Sequence, residues 1–110
     1  IGLTPSADDV LCGMTYTLLH GARKLTAADV EFVNAVRRYA PERTNLISAA
    51  ILKAVTDGGR FEMMDNVLRG LTGAGEDGTQ RLLTIGSSSG SEMLLGITIA
   101  AKLIHGRGQL

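Results

Sequence analysis

The chain is 110 residues long and electrically balanced, with 11 lysines and arginines against 11 aspartates and glutamates. This length is enough for one domain whose buried core needs no disulfide or metal support. Balanced charge lacks the cationic excess that binds nucleic-acid phosphates, and two Tyr, two Phe and no Trp leave few rings for base stacking. We therefore expect no nucleic-acid partner.

The composition indicates a reduced, cytoplasmic setting without a membrane anchor. The single cysteine, Cys12, has no partner for an internal disulfide, and no signal peptide is visible. The longest apolar run, residues 93–101, contains Gly96 and Thr98 and is far shorter than the ~20 residues of a membrane span. Cys12 lies between Leu11 and Gly13, which favours a small core residue over a nucleophile.

The first two predicted elements are helices. Over residues 6–22, helical spacing predicts a helix that stops near Gly21, with apolar positions Val10, Leu11, Met14, Leu18 and Leu19. The second helix is predicted from Thr26 to Tyr39. It opens on Thr26, followed three residues later by Asp29, the pattern of a capping box.

The remaining predicted elements are also helical. Pro41 suits the first turn of a third helix, which Gly58 and Gly59 end, and a short fourth helix follows over residues 61–71. A glycine-rich loop over 70–78, a brief helix over 79–85 and a final helix over 89–105 complete the chain. No alternation with a period of two is sustained, so the sequence predicts an all-α bundle of about five or six helices.

We expect residues 1–110 to form a single all-α domain. The chain opens on Ile1 rather than Met and runs at once into its most distinctive motif. It is therefore expected to be a piece of a longer protein.

Two segments near opposite ends of the chain share one sequence pattern. Aligning Ser6 with Ser89 also pairs Asp9 with Glu92, Leu11 with Leu94 and Gly13 with Gly96. In each segment an acid follows a serine by three residues ahead of an apolar helix, which predicts two capping boxes. Helix starts rich in glycine and hydroxyl groups bind anions well, because their backbone N–H groups are unpaired. The alternative is two ordinary capped helices packed in a core.

Candidate site residues cluster in these two segments. Hydroxyl donors and a close-approach glycine are supplied by Thr4, Ser6, Ser88, Ser89 and Gly90. Asp8 and Asp9 form the only paired carboxylate beside a crowded turn, and they could orient a substrate or ligate Mg²⁺. Neighbouring helical residues point about 100° apart, so Asp8 is the one left for a ligand if Asp9 caps the helix. A solvated or purely capping pair is the alternative.

Arg43 and Thr44 form a further candidate. A guanidinium fork beside a hydroxyl near a helix start suits a phosphate or a carboxylate, although Arg43 could equally pair with Glu42 or Glu62. His20 and His105 each close a predicted helix and have no metal-ligand spacing.

The motifs also point to a family. The first segment reads Gly2-Leu3-Thr4-Pro5-Ser6-x-Asp8-Asp9-x-Leu11-x-Gly13. This pattern resembles the signature of the bacterial AllH-like family, described as a subunit of oxamate carbamoyltransferase. Three less specific stretches agree in the same order: Thr44 with Ser48, Leu52-x-Ala54 running to Gly58, and Ile85-Gly86-x-x-Ser89-Gly90 through Gly96. The sequence departs from the family pattern at Ala7, where Gly is usual, and at Glu92, where Asp is expected.

The resemblance implies a role in allantoin and purine nitrogen catabolism. A multi-subunit enzyme there converts oxalurate and phosphate to oxamate and carbamoyl phosphate. Because members of the family are considerably longer, the chain resembles their C-terminal part. Other carbamoyltransferase subunits and the N-terminal part of its own chain are then expected partners.

The leading hypothesis is a carbamoyltransferase subunit that binds a small anionic substrate. Asp8, Asp9 and Arg43 would act in catalysis, and Thr4, Ser6, Thr44, Ser88, Ser89 and Gly90 would bind substrate, with no cofactor except possible Mg²⁺. A non-catalytic structural or regulatory subunit is one alternative. An all-α hydrolase with Asp8, Asp9 and Glu92 around Mg²⁺ is another.

Overall fold

The regular secondary structure of the described residues is α-helical. In this computed structural model residues 5–43, 46–71 and 89–109 are described. Five α-helices occur in these ranges: α1 (Pro5–Gly21), α2 (Ala27–Arg43), α3 (Leu46–Thr56), α4 (Glu62–Leu71) and α5 (Ser89–Gly106). The described ranges contain no strand, and the all-α prediction is confirmed. A Cα radius of gyration of 13.1 Å is that of a compact chain of this length.

The starts of α1 and α2 lie within one residue of their predicted positions. α1 begins at Pro5, one residue before Ser6, so Ser6 lies in the first turn rather than at the cap. Proline suits a first helical position because it has no N–H to leave unpaired. At α2 the predicted capping box is confirmed. The N–H of Asp29 donates to Oγ1 of Thr26 over 3.1 Å, and the N–H of Thr26 donates to Oδ2 of Asp29 over 2.9 Å.

The prediction that Pro41 opens the third helix is wrong. α2 continues through Pro41 to Arg43, and α3 begins only at Leu46. Proline has no N–H to donate to the carbonyl four residues earlier, and α2 ends two residues after it. Arg43 therefore closes a helix and does not lie at a helix start.

The later boundaries agree more closely. α4 ends at Leu71, as predicted, so residues 70 and 71, which the sequence also assigned to the glycine-rich loop, are helical. The rest of that loop and the brief helix predicted over 79–85 lie outside the described residues. α3 ends in a Schellman motif, because Gly58 has φ 90° and the N–H of Gly59 donates to the carbonyl of Ala54 over 2.8 Å.

α1 is the central helix, and each of the other four described helices contacts it. The main core cluster consists of Cys12, Tyr16, Val36, Leu52, Val55, Met64, Val67, Leu68 and Ile97. Among the described helices, α5 packs chiefly against α1. No described helix has both the length and the apolar character needed to cross a bilayer.

The turn after α5 is hydrogen-bonded to the start of α2. Nη1 of Arg107 donates to Oδ1 of Asp29 over 3.2 Å and to Oγ1 of Thr26 over 3.3 Å, and Nη2 lies 3.1 Å from Oδ2 of Asp29. Burial alone would raise the pKa of Asp29, but the Thr26 N–H and the Arg107 guanidinium outweigh it and lower that pKa. This contact joins the chain's C-terminal turn to its second helix.

Candidate functional site

The backbones of α1 and α5 are in direct contact at two glycines. A Cβ built on Gly13 would lie 2.1 Å from the carbonyl oxygen of Met93, and one built on Gly96 would lie 2.1 Å from that of Val10. Any larger residue at either position would clash with the backbone of the other helix. The glycines that the sequence alignment paired therefore face each other's helix in the fold.

The two helices run in the same direction. Beyond the crossing, Leu18 packs with Ile104. Past both helix ends, the N–H of Arg23 donates to the carbonyl of Gln109 over 2.6 Å. Pro5 and Ser89, the first residues of α1 and α5, each lie about two turns before the crossing glycine. Both helix starts are consequently at the same end of the molecule. We call the first turns of α1 and α5 the paired helix starts.

α2 ends on the same side of the molecule. Its first turn is tied to Arg107 beyond the end of α5, whereas Val36 packs in the cluster that contains Cys12. α2 thus runs back along α1, so its last residue, Arg43, lies toward the end where α1 begins. The topology brings the backbone of this predicted anion-binding residue to the side of the paired helix starts.

The predicted carboxylates occupy different surroundings. Asp8 is 2% exposed in the first turn of α1, whereas Asp9 and Glu92 are half-buried. The difference in exposure between Asp8 and Asp9 agrees with the angle of about 100° between neighbouring side chains on a helix. Among the described residues, no three His, Cys, Asp or Glu side chains form a group that could hold a metal ion. The magnesium assignment stays a prediction.

Several predicted binding residues are placed only in part. Thr4, Thr44 and Ser88 lie outside the described residues. For the others the structure gives backbone positions: Ser6 in the first turn of α1, and Ser89 and Gly90 as the first two residues of α5. Their assignment to substrate binding stays a prediction.

Cys12 is a core residue, as its neighbours in the sequence predicted. It is 2% exposed and lines an apolar cavity of about 300 Å³ together with Met63, Met64 and Met93. Burial, with a smaller effect from the Asp9 charge, raises the pKa of the thiol to about 12. A thiol that stays protonated at neutral pH is a poor nucleophile.

The sequence reasoning missed a polar network around Tyr16, which is fully buried. The Tyr16 hydroxyl accepts the N–H of Phe61 over 2.8 Å and donates to Oδ1 of Asp65 over 2.5 Å. Burial and the bond to Asp65 raise the pKa of Tyr16 to about 12. The sequence does place a tyrosine on the apolar face of a helix. Because a buried hydroxyl needs a hydrogen-bond partner, this position indicates that a polar contact exists. That partner lies 49 residues away and could not be identified from spacing.

These features define a class: an all-α fold built on two parallel helices whose backbones touch and whose starts share one end. The chain belongs to the AllH family, because the family model described as oxamate carbamoyltransferase subunit AllH matches residues 1–101. The resemblance inferred from the motifs is thereby confirmed. No solved structure matches the chain.

Proposed function

We propose that the chain is a subunit of oxamate carbamoyltransferase in which the paired helix starts bind a small anionic substrate. The observation that carries the proposal is the parallel crossing of α1 and α5 at Gly13 and Gly96, which puts both helix starts at one end. The family description suggests the reaction, and the shared end of the two helix starts supports the proposal that this end binds its anions.

Electrostatics favours an anion at this end. Each helix start carries unpaired N–H groups and about half a positive charge, and two parallel helices add their fields where the starts lie side by side. Carbamoyl phosphate, oxalurate, oxamate and phosphate are all small anions. In the proposed complex the backbone N–H groups and the hydroxyls of Ser6 and Ser89 donate to the anion.

The proposed chemistry needs no covalent intermediate on the protein. An oxygen of phosphate attacks the carbamoyl carbon of oxalurate, the bond from that carbon to the oxamate nitrogen breaks, and the nitrogen takes up a proton. Fixed donors stabilise the charge that develops on the carbonyl oxygen. Asp8 would orient the substrate through its N–H groups, and Arg43 would hold the phosphate.

The test is a thermal-shift titration of the chain with each of the four anions, with and without Mg²⁺. A ligand at about 100 times its Kd adds about 2.7 kcal/mol of stability, which raises the Tm by several degrees for a domain of this size. The Ser6→Ala/Ser89→Ala double variant should show a smaller rise. Thr98→Ala, which removes an exposed hydroxyl of α5 bonded to its own helix, is the matched control. No shift with any anion would contradict binding by this chain.

A second candidate is a structural subunit. It is favoured by one observation, a stripe of exposed apolar side chains on the outer face of α5, formed by Leu95, Ile99 and Leu103. Their i, i+4, i+8 spacing places them on one side of the helix, and apolar faces of this kind suit contacts with another subunit. A chain that binds none of the anions, and whose Ile99→Lys variant fails to assemble with the other carbamoyltransferase subunits, would identify this role.

A further inference from the structure

A polar cleft of about 270 Å³ lies at the other end of α1, between that helix and α4. Its lining residues are His20, Gly21, Arg60, Asp65, Leu68 and Arg69. His20 and Gly21 are in the last turn of α1, which places the cleft about 20 Å from the paired helix starts. The proposed function does not use any of these residues.

Two of the three charged side chains that line the cleft are arginines. Arg60 and Arg69 contribute two guanidinium groups, and Asp65 contributes one carboxylate. The last turns of α1 and α4 carry the negative ends of their helix dipoles, so binding there depends on the guanidinium hydrogen bonds rather than on net charge. Guanidinium groups present planar pairs of N–H donors that match the oxygens of phosphates and carboxylates.

The walls of the cleft are held by hydrogen bonds. Asp65 accepts the hydroxyl of the buried Tyr16, and Nη1 of Arg60 lies 3.6 Å from Oδ1 of Asp65. A guanidinium has five N–H donors, so one contact orients Arg60 and does not exhaust its capacity to bind. On the α1 side, Nε2 of His20 lies 3.2 Å from the carbonyl of Gly59 and must donate to it, which fixes the imidazole ring.

The other cationic wall is Arg69. Its guanidinium donates to Oδ1 of Asn66, one turn earlier on α4. Arg60 precedes α4 and Arg69 lies in its last turn, so the two groups approach the cleft from opposite ends of that helix. An anion bound in the cleft would lie between these two arginine side chains and the last turn of α1.

We propose that this cleft is a second anion site, which binds a small molecule through a phosphate or carboxylate group. Arg60 and Arg69 donate to the anion, His20 and Leu68 form the walls, and Asp65 positions Arg60. The site is separate from the paired helix starts, and occupation there would tie α1 to α4.

The test is calorimetric titration of the full chain with inorganic phosphate and, in a second arm, with acetate. Loss of charged hydrogen bonds weakens binding by about 10-fold or more, and we expect that loss in the Arg60→Gln/Arg69→Gln double variant. Arg38→Gln, which alters an exposed arginine on α2, is the matched control, because α2 does not contact α4 among the described elements. Tighter binding of phosphate than of acetate would identify a phosphate site, and the reverse a carboxylate site.

Amide NMR spectra of the same samples separate this proposal from the proposed function. Binding in the cleft should move the amide signals of Gly21 and Arg60, whereas binding at the paired helix starts should move those near Asp8 and Glu92. Equal phosphate and acetate affinities of the double variant and the unaltered chain would overturn the proposal. So would shifts confined to the paired helix starts.

Discussion

At the scale of single residues, Tyr16 provides the polar contact that fixes the start of α4 against α1. Its hydroxyl bonds both the backbone of Phe61 and the carboxylate of Asp65. Replacing Tyr16 with Phe leaves two polar groups without this partner and should lower the free energy of unfolding by about 1–3 kcal/mol. Urea denaturation measures the change. Thr98→Ala, which removes an exposed hydroxyl, should change it by less than about 0.5 kcal/mol.

The same residue predicts a loss of stability in alkali. The pKa of Tyr16 is about 12 in the folded chain against an ordinary value of 10.0. Between these values the unfolded chain has lost the proton and the folded chain has kept it, so stability falls as the pH rises from 10 toward 12. Tyr16→Phe should show a shallower fall over that range. Equal slopes for the two proteins would contradict the assigned hydrogen bonds.

At the scale of secondary-structure elements, the glycine crossing decides how α1 and α5 pack. Gly13→Ala and Gly96→Ala each force a Cβ against the backbone of the other helix and should lower the free energy of unfolding by about 1–3 kcal/mol. Gly106 is the control, because its Cβ would meet nothing within 4 Å. There alanine should leave stability unchanged or raise it by up to about 1 kcal/mol. Similar effects at Gly13 and Gly106 would argue against direct backbone contact.

The contact between Arg107 and Asp29 predicts sensitivity to acid. The pKa of Asp29 is lowered in the folded chain, so its contribution is complete above the unfolded value of about 3.9 and is lost as the pH falls through the folded value. Arg107→Ala should cost about 1–2 kcal/mol at pH 7, and this difference should shrink as the pH falls below about 3.9.

Denaturation curves across pH measure that difference. Lys53→Ala, which breaks an exposed ion pair with Asp57, is the control and should cost less than about 1 kcal/mol at pH 7. A difference for Arg107→Ala that does not depend on pH would mean that Arg107 stabilises the turn without pairing with Asp29.

Much of the element pattern could be predicted from local sequence. The spacing of apolar residues located α1, α4 and α5, and the Thr26–Asp29 pair located the start of α2. The boundary between α2 and α3 was misplaced at Pro41. Proline is more favourable in the first turn of a helix than in its interior, so the sequence indicated a new helix there and not the continuation of α2. Local rules describe where helices can begin, but they did not locate the end of α2.

At the scale of the whole molecule, the sequence predicted two similar helix starts but could not predict that they lie at the same end of the molecule. The pairing of Gly13 with Gly96 was visible as a repeat. Only the fold shows that each glycine faces the other helix and that the two helices are parallel. The Tyr16 network escaped prediction for the same reason, since its partners are distant in sequence. The family match adds the reaction that the paired helix starts are proposed to serve.

The most direct test of the central claim is an amide NMR titration of the isotope-labelled chain with carbamoyl phosphate. The account predicts saturable shifts concentrated in the first turns of α1 and α5, from Ser6 to Asp9 and from Ser89 to Glu92, with Gly106 unchanged. Shifts absent from both first turns, or present in only one of them, would contradict a substrate site formed by the paired helix starts.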